Sequence, residues 1–121
     1  MKIGLLPLYV KLYDDKLPEL RIRMDAFYEN IAKRFENNEI DVVRSSFCRV
    51  ASEFESAIKR FENSNVDAIV SVHIAYSPSL ESIDALSKTN LPLIVLDTTE
   101  TLEFDNNQNP DEIMYCHGVH G

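Results

Sequence analysis

Four short β-rich runs, residues 3–8, 40–45, 68–74 and 93–96, alternate with longer stretches in which apolar residues recur every three or four positions. This alternation constrains the chain more than anything else in it. Strands alternating with helices imply right-handed βαβ units and a parallel sheet. The runs 68–74 and 93–96 are nearly continuous in apolar residues, as expected for strands covered on both faces by helices. The predicted fold is α/β: a three-layer α/β/α sandwich with a parallel sheet, flavodoxin-like or Rossmann-like.

The helical stretches carry their own signals. In residues 17–37, Leu20, Met24, Phe27, Ile31 and Phe35 fall on one helical face. Pro18 fits the first turn of that helix, and Asn37-Asn38 fits its end. Ser52 with Glu55 three residues on has capping-box spacing and opens a helix with Phe54, Ile58 and Phe61 turned inward. Ser77-Pro78 reads as an N-cap followed by proline, and the helix it starts carries Leu80, Ile83 and Leu86. After Asp97 the periodicity fades, and residues 105–110 read as a loop.

A chain of 121 residues is expected to form one domain with a core of its own. Its composition, 45% hydrophobic and 26% charged, is that of a globular protein and gives no sign of a disordered tract or repeat. The net charge of −8 repels phosphate backbones, so nucleic acid is not an expected partner. No apolar run approaches the length of a membrane span, so no membrane partner is expected either. The chain enters its first strand without a signal-peptide layout. A cytoplasmic location is therefore expected, with Cys48 and Cys116 as free thiols.

In sheets of this kind ligands bind beyond the carboxyl ends of the strands. The residues there are Pro7-Leu8-Tyr9, Ser45-Ser46, the segment His73-Ile74-Ala75-Tyr76-Ser77-Pro78, and Asp97-Thr98-Thr99. No glycine-rich phosphate loop is present, and the third strand ends in His73 where a phosphoacceptor receiver would carry aspartate. His73, Tyr76, Asp97 and Thr98 are candidate cleft residues. His73 can act as a ligand or base at the edge of a cleft, or simply cap its strand by bonding the next loop. Tyr9 and Tyr13 flank a loop containing Asp14-Asp15 and read either as surface tyrosines or as stacking contacts to a polar ligand.

The tail concentrates two of the three histidines and two of the three glycines in its last five residues. His117 and His120 have the spacing to share one helical face and one metal. A structural zinc site needs four ligands, and Cys116 alone does not complete one, so no metal is expected to be held by this chain itself. A frayed terminus is the plainer alternative.

Four segments carry a family resemblance. His73-Ile74-Ala75-Tyr76-Ser77-Pro78-Ser79 resembles the H-T-F-S-P-A segment of L-arabinose isomerases, and Pro92-Leu93-Ile94-Val95 resembles the P-L-L strand one helix later. Gly4-Leu5-Leu6-Pro7-Leu8-Tyr9 matches that family's G-S-Q-H-L-Y opening at Gly4, Leu8 and Tyr9. His117-Gly118-Val119-His120-Gly121 resembles the H-G-x-H-G that precedes V-Q-D in L-fucose and L-arabinose isomerase relatives. The resemblance runs along the whole chain but covers only the first domain of the family.

The resemblance implies a metal-dependent aldose–ketose isomerase. There a divalent metal, usually manganese, grips two sugar oxygens and polarises the carbonyl while a glutamate moves the proton. The metal ligands and catalytic glutamate of the family lie in later domains, so no catalytic residue and no metal ligand is carried onto this sequence. What carries over is substrate contact by Leu8, Tyr9, His117 and His120, on a sugar shared with a neighbouring subunit of a homo-oligomer. Residues 103–121 would then be a tail running on into the rest of a longer chain. The arabinose branch has glutamine at Leu6 and at His117, which points to a fucose isomerase-like relative acting on another sugar. The alternative is a stand-alone small-ligand-binding or regulatory α/β domain.

Overall fold

The computed structural model describes residues 1–101, 105–107, 109 and 110. The elements run in the order β1 (Lys2–Leu8), α1 (Lys11–Lys16), α2 (Leu20–Glu36), β2 (Asp41–Arg44), α3 (Ala51–Asn63), β3 (Ala68–His73), α4 (Ser79–Lys88) and β4 (Leu93–Leu96). All strand pairings are parallel, and the strand order is β2-β1-β3-β4. This is the expected doubly wound α/β sandwich.

Two cores form because the sheet is apolar on both faces. On one face α2 lays Leu20, Met24, Tyr28, Ile31 and Ala32 over Ile3, Leu5, Val70 and Val72. On the other, Phe54, Ala57, Ile58 and Phe61 of α3, with Ala85 of α4, cover Leu6, Leu8 and Ile69. The inward set predicted for α3 is buried as expected. At Gly4 α3 comes close to the sheet: a Cβ there would lie 2.6 Å from Cγ of Phe61.

Tyr28 links α2 to the sheet. Its buried hydroxyl lies 3.1 Å from the carbonyl oxygens of both Leu5 and Ser45 and shares its single proton between them. Burial holds its pKa well above the usual tyrosine value. Tyr28→Phe takes the hydroxyl donor from the Ser45 carbonyl, while that of Leu5 keeps the Ser45 N–H, and is expected to cost about 1–2 kcal/mol in a denaturant titration. Unchanged stability would show that neither carbonyl depends on it.

Several local readings are corrected. The stretch after Tyr9 is not a loop: Lys11–Lys16 forms the short helix α1. Helix α2 begins at Leu20, so Pro18 lies in the turn before it, where its carbonyl accepts the Arg21 N–H. The capping box at Ser52 is not formed. Helix α3 starts at Ala51, and it is Glu53, not Glu55, that reaches back, accepting the Arg49 N–H at 2.7 Å while pairing with the Arg49 guanidinium. Ser77 does not cap α4, which starts at Ser79 without a side-chain cap. In α4 the buried positions are Ser82 and Ala85, whereas Leu80 and Ile83 are exposed.

Candidate functional site

The connections from β1 run to α2 on one face, and those into and out of β3 to α3 and α4 on the other. The strand order therefore reverses at β1 and β3, and their carboxyl ends form the crevice in which such folds bind ligands. Tyr9 leaves β1, His73 ends β3, and Asp97 follows β4. Tyr9 does not share a cleft with the other two, because the sheet separates them. Tyr9 belongs to the α2-side core, while His73 pairs in register with Leu8, which faces α3 and α4.

On the α2 side Tyr9 is fully buried, which rules out the surface alternative for it. Its ring meets Tyr13 edge-on at 6.0 Å and Phe47 at 5.4 Å. The Arg21 guanidinium lies 4.1 Å from the centre of the Phe47 ring and 5.3 Å from that of Tyr9. Asp14 of α1 binds that guanidinium at 2.9 and 3.0 Å and also accepts from Arg49 at 2.8 Å. One carboxylate thus ties α1, α2 and the β2–α3 connection together over the tyrosine. Asp14 and Asp15 are not equivalent solvated charges; Asp14 is a strut. Burial, and next the Asp14 charge, raise the Tyr9 pKa to about 12, so its phenol stays protonated, yet the hydroxyl has no hydrogen-bond partner among the described residues.

The α3/α4 side of the crevice gathers more unused polarity. Ser71 and His73 share this face of β3, two residues apart. Register continued one pair past Val72 and Leu96 sets Asp97 beside His73. The imidazole is half-buried. Burial lowers its pKa, against a smaller upward pull from the Asp97 charge, so the ring is neutral near pH 7. Among the described residues its Nδ1 is buried without a partner, as are the hydroxyls of Ser71 (1% exposed) and, in the β3–α4 connection, Ser77 (4% exposed). Buried polar groups are normally bonded, and an orphan costs about 1–3 kcal/mol, so these three, one inside β3, one at its end and one in the connection after it, are the groups best suited to bond a polar ligand. The same connection holds Ala75 at φ +53°, a left-handed conformation unfavourable for any residue with a Cβ. Tyr76, next to it, is exposed.

Of the candidate residues, the structure therefore brings His73 and Asp97 together, with Tyr76 in the adjoining connection. Thr98 goes elsewhere: with Thr99, Leu96, Phe27 and Arg34 it lines a cavity of about 660 Å³ on the α2 side. Leu8 is buried against the α3 core, and His117 and His120 lie outside the described residues. Ser71 and Ser77 were not singled out as site residues. Ser71 left a trace, as the one polar residue inside the apolar run of β3. Ser77 was masked by its resemblance to a helix cap.

No group of three His, Cys, Asp or Glu side chains suited to a metal is present among the described residues. His73 and Asp97 offer two donors, fewer than the three protein ligands typical of a catalytic divalent site, so the manganese implied by the resemblance does not fit here. What the site can do is bind and orient: a neutral imidazole, two hydroxyls and a carboxylate can both donate to and accept from a hydroxyl-rich molecule. No helix among the described residues is long and apolar enough to cross a membrane. Neither the protein-family models nor the curated proteins contain a match to this chain.

Proposed function

We propose that this domain is the substrate-contacting first domain of a metal-dependent aldose–ketose isomerase of the L-fucose/L-arabinose type. It works in the cytoplasm within a homo-oligomer and reaches a sugar shared with a neighbouring subunit. The observation that carries this reading is the set of polar groups in and just after β3 that lack partners among the described residues, Ser71, His73 and Ser77, with Asp97 beside His73. An open-chain sugar presents a row of hydroxyls that such groups can bond. The carboxylate accepts, the serines do either, and His73 supplies one donor and one acceptor nitrogen while neutral. The role is positioning. Proton transfer and any metal belong to residues of a longer chain.

The test is a titration of the 121-residue chain with L-fucose, L-arabinose, their ketoses and their alditols, followed by NMR, beside an isomerase assay with and without manganese. Saturable shifts at His73, Ser71 and Ser77, and no turnover, are expected. Turnover of any aldose would overturn the claim that the domain is inactive alone, and absence of shifts with every polyol would overturn the sugar reading.

The 660 Å³ cavity favours a second reading, a stand-alone domain that binds a small ligand. Its lining combines Phe27, Ile31 and Leu96 with Asn30, Arg34 and Glu100. Under that reading ligands shift Phe27 and Thr98 and leave His73 unmoved.

A further inference from the structure

Strand β4 breaks the rule that the rest of the sheet obeys. Its residues are apolar, yet Leu93, Ile94 and Val95 are 44%, 53% and 61% exposed. Register assigns Leu93 and Val95 to the α3/α4 face and Ile94 to the α2 face, so the strand is under-covered on both sides. Its outer edge has no strand partner among the described residues. Helix α4 extends the apolar band. Glu81 accepts the Ala51 N–H, which turns that side of α4 toward α3. Ile83 then lies on the opposite flank, the β4 side, with Leu80 outermost, and these two are 57% and 90% exposed.

The other edge of the sheet is treated differently. β2 opens with Asp41 and closes with Arg44, whose guanidinium is held by Glu36 at 2.7 Å and by Glu29. Charges of this kind protect an edge from pairing, whereas β4 has no charged residue or proline between Leu93 and Leu96.

We propose that β4 is a dimerisation edge, on which a second copy of this chain pairs its own β4 antiparallel across a two-fold axis. An axis perpendicular to the sheet keeps like faces together. Leu93 of one copy meets Val95 of the other, two Ile94 side chains adjoin, and the sheet becomes continuous through eight strands. Two-fold self-pairing is the commonest route to a homo-oligomer. No charged side chain lies within β4, so antiparallel pairing centred on Ile94 sets no like charges directly opposite one another. Leu93, Ile94, Val95 and Ile83 present on the order of 400 Å² of side-chain surface per copy, to which the β4 backbone edge adds, so the pair approaches the roughly 1,000 Å² that a specific interface needs. This inference stands on β4 and α4 alone and does not require the isomerase reading.

Sedimentation of the 121-residue chain tests it. The wild type is expected to run at about twice its 13.9 kDa mass, and Ile94→Lys and Val95→Lys at the monomer mass with unchanged circular dichroism. Both positions are exposed, so lysine is compatible with the fold. Amide exchange at Leu93–Leu96 is read on the wild type as a second measurement, and slows as concentration rises if copies pair there. A wild-type chain that stays monomeric overturns the proposal. So does slow β4 exchange that is independent of concentration, which would mean that the chain covers its own edge. A dimer that survives both lysine substitutions overturns it too, because its interface then lies elsewhere.

Discussion

Phe61→Ala is expected to lower stability by about 3–5 kcal/mol, the usual cost of emptying a fully buried aromatic position. That is a large part of the roughly 5–15 kcal/mol that holds a domain together, so the variant will be partly unfolded under mild denaturant. The argument rests on Gly4. The Phe61 ring occupies the space a side chain at Gly4 would need, since a Cβ there would sit 2.6 Å from Cγ and 2.8 Å from each Cδ. The ring cannot easily retreat, since it is packed into the core with Leu6, Phe54 and Ile69. Gly4→Ala alone is therefore expected to cost about 1–3 kcal/mol by overpacking. In the Phe61→Ala background the same methyl enters the space the ring has left, and its cost should vanish or reverse. A double-mutant cycle by urea unfolding checks this. Coupling of about 1 kcal/mol or more confirms the close contact, and strict additivity would refute it.

His73→Gln is expected to weaken polyol binding at the strand ends at least about tenfold, through loss of roughly one charge-free hydrogen-bonded contact of 1.4 kcal/mol. It is also expected to flatten stability against pH. The folded pKa of His73 lies below its unfolded value, because burial disfavours the imidazolium more than Asp97 favours it. The unfolded chain therefore binds more protons in that range, and stability rises with pH there. The contribution is complete above the unfolded value of about 6.5 and is lost as pH falls from there through the folded pKa. The wild type should lose stability across this window, while the glutamine variant, which cannot titrate, should hold steady over the same span. Equal losses in both chains would show that His73 is not the group responsible. Asp97→Asn removes the partial rescue and should deepen the wild-type loss.

The elements and their alternation are written locally in the chain. The apolar runs 3–8, 68–74 and 93–96 became β1, β3 and β4 within a residue, and the period of Leu20, Met24 and Ile31 marked α2 and its buried face. These signals are legible because each is local: a side chain two or four positions away already states the period. Caps were less legible, as Ser52 and Ser77 show, since a hydroxyl near a helix start bonds a backbone N–H only if the chain approaches at the right angle. Tertiary structure alone decided the site. Tyr9 just after β1 and His73 at the end of β3 look equivalent in the chain, yet the register between β1 and β3 puts them on opposite faces of the sheet. Asp14 and Arg49 are far apart in sequence and meet at 2.8 Å only because α1 and the β2–α3 connection pack over the same tyrosine. Ala75 gives no hint of its left-handed backbone, because nothing in an alanine favours it. The strands and helices follow from short-range periodicity. Which polar groups end up together and unpaired depends on register and packing, which are properties of the assembled sheet.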